Sequence, residues 1–439
     1  MSKMGLKPMK TNKSLREQVK LLQTQVTSLK NIIIKGNLTA PINEDLPRQV
    51  KTLVYNGSPQ VPTWSDYDET TLHVECEPQT EPGEYKATFT PACGYVWADG
   101  SDEPKTVTWK IDDTHVMGMV LVQEGNKSGT WVRVDQDFNT VPFDPKHGTW
   151  AGMKQVQNET YGEFTEIPIT YVRTETLTDG PYAGKNCWWI ADGPESGFHV
   201  HPAFIGQDGQ PHNLQIASWI ASNKNDVPFS EDKGNSYSDY WGHITYDDMH
   251  AKGWMTGGAR PYNIYDHHFL ARMMLVEFGT PDVQAQTVDG VAWTGDNRIS
   301  YHGIHDPFGT TNGDERYWLD GLTTLNGTYQ VLAADGSRNM VETGVSCQNA
   351  AIVWPVNCLV DQANGIDFGD LFIANMANDT ENLGSFADCQ YLRPGYAFIM
   401  HWYAGRRSFG AFYLDASIST NFSMSVLGWR VALCGSPVS

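Results

Sequence analysis

The last forty residues alternate between two textures, and that alternation limits what the chain can be. Met400-His401-Trp402-Tyr403-Ala404-Gly405 leads into Gly410-Ala411-Phe412-Tyr413-Leu414-Asp415. A polar run from Ala416 to Ser425 follows, and then Gly428-Trp429-Arg430-Val431-Ala432-Leu433. An apolar and glycine framework brackets two stretches whose side chains follow no chemical pattern. A catalytic site fixes particular groups at particular places. A binding surface needs only a rigid scaffold beneath adaptable loops. The tail therefore predicts a binding surface on a stable core.

The rest of the composition suits such a scaffold. Of 439 residues, 41 are Gly and 15 are Trp, with 12% aromatic, which favours β-rich, loop-rich structure over helical bundles. Formal net charge is −20, so phosphate backbones are repelled and no nucleic-acid partner is expected. The charge is uneven: residues 1–36 carry eight Lys or Arg against Glu17, or +7, leaving −27 for the remainder. That basic end either docks on an acidic partner surface or is a solvated helix face. Seven cysteines without a CxxC pair argue against a disulfide framework or a zinc knuckle. No apolar leader and no long apolar run is present, so neither a signal peptide nor a membrane span is expected.

Leu15, Val19, Leu22, Val26, Leu29 and Ile33 are spaced 4, 3, 4, 3, 4, a heptad seam with β-branched residues at a and Leu at d. Three heptads are marginal alone. Self-association is the favoured reading, and packing of an amphipathic helix on its own chain is the other. The Val-at-a rule leans towards dimers. Residues 41–113 contain short alternating segments at about ten-residue spacing, which predict a small β-sandwich. Cys76 and Cys93 are expected to be buried thiols. From residue 114 the chain turns to short strands and Gly/Asn/Asp-rich loops. One helix is predicted over 263–278, with a stripe through Ile264, His268, Ala271 and Leu275 and a stop at Gly279.

Histidines at 199, 201, 267, 268, 302 and 305 are the obvious ligand candidates. No acidic or cysteine partner stands at a recognised spacing, so packing and hydrogen-bonding roles are expected, with no metal and no cofactor. Asp320, before Gly321, is expected to cap a turn. No nucleophile elbow, phosphate loop or dinucleotide fingerprint occurs, and no two carboxylates stand out as a glycosidase pair.

Two resemblances add to this reading. The segment LVYNGSPQVPTW…GEYKATFTPACGYVWADGS…KTVTWKI resembles bacterial immunoglobulin-like repeats of surface and phage tail proteins, which usually act as spacers. Four blocks, FHVHPAFIGQDGQPHNLQIASWIAS (198–222), HHFLARMMLVEFGTPDVQAQ (267–286), ISYHGIHDPFGTTNGDERYWLDGL (299–322) and HWYAGRRSFGAFYLD…LGWRVAL (401–433), resemble in order phage and bacterial variable proteins of C-type-lectin-like fold. Those are related to the formylglycine-generating enzymes, and many are targets of diversity-generating retroelements. The resemblance implies a virion receptor-binding protein, often trimeric, with no catalytic residues. It places Trp402, Gly405, Gly410, Phe412, Gly428, Trp429 and Arg430 in the framework. It places His401, Tyr403, Ala404, Arg406, Arg407, Ser408, Asp415, Ser417, Ser419, Asn421, Ser423 and Ser425 on the variable, ligand-facing side. The spacing from Gly405 to Gly410 is one residue longer than the family pattern.

The expected fold class is mostly β with an α+β C-terminal domain. The expected order is a basic coiled-coil segment (1–38), an Ig-like sandwich (41–113), a β-rich connecting region (114–179) and a C-type-lectin-like ligand-binding domain (180–439). The expected role is a tail fibre or spike, made in the host cytoplasm and carried on the virion, that binds a host-surface glycan or protein. A head fibre or decoration protein is the alternative. A formylglycine-generating-type oxidase is a remote one, because it needs a cysteine pair or a three-histidine cluster.

Overall fold

The computed structural model of the chain describes residues 18–27, 39–42, 45–50, 53–54, 58–112, 115–233, 241–283, 300–308, 316–324, 327–347, 350–378, 380–401, 411–424 and 427–435. The chain is mostly β. It divides into two compact units, Met1–Asp113 and Thr114–Ser439. Among the described residues no helix is long and apolar enough to cross a membrane.

In the first unit residues 18–27 are helical. The seam residues Val19, Leu22 and Val26 are 48%, 60% and 50% exposed, like the rest of 18–27, so nothing among the described residues covers this face. Leu15, Leu29 and Ile33 lie outside the described residues. The β part has a four-stranded sheet in the order Leu53–Val54, Lys105–Asp112, Gly83–Pro91, Leu72–Glu75. Alternation along the strands sends Ala87, Phe89, Trp109 and Ile111 inward to meet Ile42, Leu72 and Trp97. Trp64 and Tyr67 set their rings edge-on to Phe89, at 5.1 and 5.7 Å. Cys76 and Cys93 are both free thiols, but Cys76 is only half-buried and Cys93 is exposed, which corrects the expectation of burial.

The second unit is one body, and the boundary expected at residue 180 does not exist. The strand Val116–Gln123 lies between Thr130–Val134 and Asn186–Ala191 in a five-stranded sheet. Gly162–Ile167 pairs with Leu214–Ala217 in a seven-stranded sheet that also holds Val431–Cys434. Met119, Leu121, Trp150 and Ile167 share a core with Trp188, Phe269 and Phe412. Segment 114–179 is thus part of the domain rather than a connector: its apolar faces share their cores with later strands. A nine-stranded sheet completes the unit, with Arg316–Thr323, Ala397–His401 and Leu414–Ile418 side by side.

Close packing within these sheets sets a sharp requirement at Gly118. A Cβ there would lie 2.6 Å from the Trp189 ring and 2.8 Å from Cys187 Sγ, both buried and rigidly held. Gly118→Ala is expected to cost about 1–3 kcal/mol of unfolding free energy, through displaced core side chains. Denaturant titration of the folded variant checks this, and an unchanged midpoint contradicts it.

The helix Ile264–Phe278 begins in a capping box. The Asn263 side chain accepts from the amides of Tyr265 and Asp266, and Asp266 accepts from the Asn263 amide. It ends at Gly279 in the left-handed conformation. The one-sided stripe expected from sequence is not what the helix shows, because every residue from Ile264 to Val276 is buried. Sheet strands, loops and short turns cover it all round, so its polar residues must be satisfied internally. A second, short helix, Tyr246–Lys252, capped by Thr245, had no clear periodic signal in the sequence.

Candidate functional site

The described part of the C-terminal tail separates into a buried frame and an exposed stretch around Ser419–Ser423. Phe412 is fully buried between Phe372 and Phe386, at ring distances of 4.8 and 5.5 Å. Its amide donates to Asp388 and its carbonyl accepts from Gln390. Gly428 pairs its short strand in parallel with Tyr317, and Trp429 meets Trp241 edge-on at 5.5 Å. Arg430 is fully buried. Its guanidinium donates to the carbonyls of Ala217 (2.5 Å), His305 (2.6 Å) and Asp306 (3.1 Å) and lies over the Tyr317 ring. One side chain thereby ties three loops and strands together.

Between these anchors, Ser419, Asn421 and Ser423 are exposed, with Phe422 exposed beside them. Ser419 donates to Asn421, and the Phe422 amide closes a turn onto the Ser419 carbonyl. Ser417 is half-buried. Asp415 departs from the expected ligand face. It sits on the strand Leu414–Ile418, is 7% exposed, and accepts from the Tyr413 hydroxyl at 3.0 Å. Burial pushes its carboxyl pKa up. It is buried because this end of the strand is covered on both faces, with Leu414 and Ala416 on either side of it buried as well. The His401 backbone pairs with Arg316 at a strand end. Trp402, Tyr403, Ala404, Gly405, Arg406, Arg407, Ser408, Gly410 and Ser425 lie outside the described residues.

Six of the histidines fall into two populations, while His305 stacks on the Trp219 ring at 3.7 Å. His201, His267 and His268 are fully buried. Burial pushes His267 down to about 3 and the other two well below the usual imidazole range. Their ligand atoms do not converge. Among the described residues, the group of three whose ligand atoms all lie within 4.8 Å is His199, Asp367 and Asp370. The other population pairs with carboxylates from distant segments. His199 meets Asp370, His250 donates from Nδ1 to Asp320 (2.7 Å), and His302 meets Glu277 (3.0 Å). Burial pulls His199 down, but Asp370 overrides it and holds its pKa above the ordinary value. The Asp320 hydrogen bond does the same for His250, against the pull of burial.

Asp320 is fully buried inside the strand Arg316–Thr323, which corrects the expectation of a turn cap, and it accepts from the Gly321 amide, Trp254 and His250. Arg272, in the middle of the buried helix, donates to the carbonyls of Trp189 and Gly369 and to Thr174. Desolvation lowers its pKa to about 10. Sequence reasoning missed Arg272, though an arginine inside an apolar helical run is a visible signal. It also missed Asp367 and Asp370, which carry none.

No family model matches the sequence, and no curated protein matches it.

Proposed function

We propose that the chain is a fibre or spike protein of a bacteriophage particle, without catalytic activity, that binds a glycan or protein of the host surface through the loops of its C-terminal unit. In this reading the C-terminal unit is a C-type-lectin-like scaffold, the β module of the first unit is an Ig-like spacer, and the basic helical end joins copies of the chain and docks on other virion proteins. The observation that carries it is the division within the tail. Phe412, Trp429 and Arg430 are locked in the core, while Ser419, Asn421 and Ser423 face solvent between them. Small hydroxyl and amide side chains adapt their hydrogen bonds at low entropic cost, and Tyr403, Arg406 and Arg407 are residue types that anchor interfaces.

The test is adsorption. Particles carrying Tyr403→Ala, Arg406→Ala and Arg407→Ala together are expected to lose host adsorption, while the purified variant keeps its thermal midpoint. Normal adsorption overturns the reading.

The exposed seam of the N-terminal helix supports self-association in the same reading. Three apolar side chains on one face are costly to leave in water. Val19→Asp with Leu22→Asp is expected to convert an oligomer, of trimer mass in this reading, to the mass of one chain in light scattering. An unchanged mass places the oligomer contacts elsewhere.

A further inference from the structure

The strand His199–Val200 and the turn Phe368–Asp370 bring three ligating side chains together from segments 171 residues apart. His199 Nε2 lies 3.1 and 3.0 Å from the two carboxylate oxygens of Asp370. An oxygen of Asp367 completes a group whose ligand atoms all lie within 4.8 Å of one another. Both Asp370 oxygens are thus within reach of one imidazole nitrogen. Bonds of about 2.1 Å to a single ion set neighbouring donor atoms about 3.0–3.4 Å apart, so a small shift of the His199 side chain, which is partly exposed, would admit an ion between them.

The surroundings are built to hold these groups still. Asp367 Oδ1 accepts from the Gly369 amide at 2.8 Å and Oδ2 from Gln362 Nε2 at 3.1 Å. Metal-bound carboxylates are steadied by such outer hydrogen bonds, each oxygen keeping a lone pair for the ion. The Gly369 carbonyl accepts from Arg272 and Thr174, and a Cβ on Gly369 would fall 2.7 Å from Thr174 Cβ. The turn is therefore clamped onto the strand Tyr171–Thr176. The hydrogen bonds of Arg272 go to carbonyls and to Thr174, not to Asp370. The Asp370 side chain is 2% exposed and that of His199 is 41% exposed, which gives a buried anchor with an open approach.

We propose that His199, Asp367 and Asp370 form a binding site for a divalent ion of the zinc class, which clips the 366–370 turn to the strand His199–Val200. Two carboxylates and a neutral imidazole sum to a charge of −2, of which the buried Arg272 nearby offsets one, so the site keeps a net negative charge that favours a cation. The imidazole selects zinc-like ions over magnesium or calcium, which prefer all-oxygen sites. Water fills the remaining positions on the His199 side.

The test uses the full chain stripped with EDTA. Calorimetric titration with Zn2+ is expected to show one saturable ion per chain. The Co2+ form is expected to lack a thiolate charge-transfer band, which separates this site from the cysteines. His199→Gln and Asp367→Asn, both at partly exposed positions, are each expected to weaken zinc binding at least about tenfold while keeping the wild-type circular dichroism. No saturable uptake by the wild-type chain, a thiolate band, or undiminished binding by both variants overturns the proposal. The wild-type titration decides the matter even where one variant folds poorly.

Discussion

Arg430→Ala is expected to destabilise the C-terminal unit by about 3–5 kcal/mol, enough to unfold it or leave it barely folded at 37 °C. The guanidinium is fully buried and donates to three carbonyls, of Ala217, His305 and Asp306. Removing it strands those acceptors away from water, each at about 1–3 kcal/mol, and opens a cavity beneath Tyr317. Arg430→Lys is expected to recover little, because a single ammonium lacks the planar fork that reaches separate carbonyls. Urea titration with fluorescence from the buried tryptophans measures the effect. A loss below about 1 kcal/mol for Arg430→Ala would show that water takes over the guanidinium's contacts.

Acid is expected to unfold the C-terminal unit well above the pH at which carboxylates titrate. His267 and His268 are neutral and buried, with folded pKa values near 3 and well below 6.5 respectively. In the unfolded chain each takes up a proton near pH 6.5. The unfolded state therefore binds more protons, and stability falls as pH drops below about 6.5, by about 1.4 kcal/mol per unit per histidine. At pH 4.5 His267 accounts for about 2.7 kcal/mol, and His268 adds to it in the same direction. His250 acts the other way: its raised pKa supplies stability that is complete below about 6.5 and disappears as pH rises through its folded value. That contribution is bounded, whereas the buried pair keeps losing until the folded imidazoles protonate. Stability measured in urea between pH 7 and 4.5 should fall steeply in the wild type. It should fall less in a His267→Gln, His268→Gln variant, whatever that variant's stability at neutral pH. Parallel slopes would defeat the argument.

Some of this was legible in the sequence because it is set by near neighbours. The strand Lys105–Asp112 follows its alternation, with Trp109 and Ile111 inward. Asn263 and Gly279 mark the ends of the long helix as capping chemistry requires. Other features were not legible. The stripe on Ile264–Phe278 suggested one buried face, yet the helix is enclosed on all sides. The same residues would look amphipathic or central depending on how many other elements lie over them. Asp415 reads as one more polar residue of a variable tail, and only the cover over both faces of this end of Leu414–Ile418 buries it.

The sequence by itself determined the local grammar of this protein: short alternating strands, loops punctuated by glycine, one capped helix, and an apolar frame around a polar tail. These follow from backbone geometry over a few residues, where side-chain period and turn chemistry are decided. The tertiary structure alone decided that 114–179 belongs to the C-terminal unit, that Arg430 reaches three separate carbonyls, and that His199 meets Asp370 and His250 meets Asp320. Such pairings depend on the order of strands in a sheet and on the closure of long loops. The entropic cost of loop closure grows only slowly with loop length, so many distant partners are open to each residue until the packed core selects one.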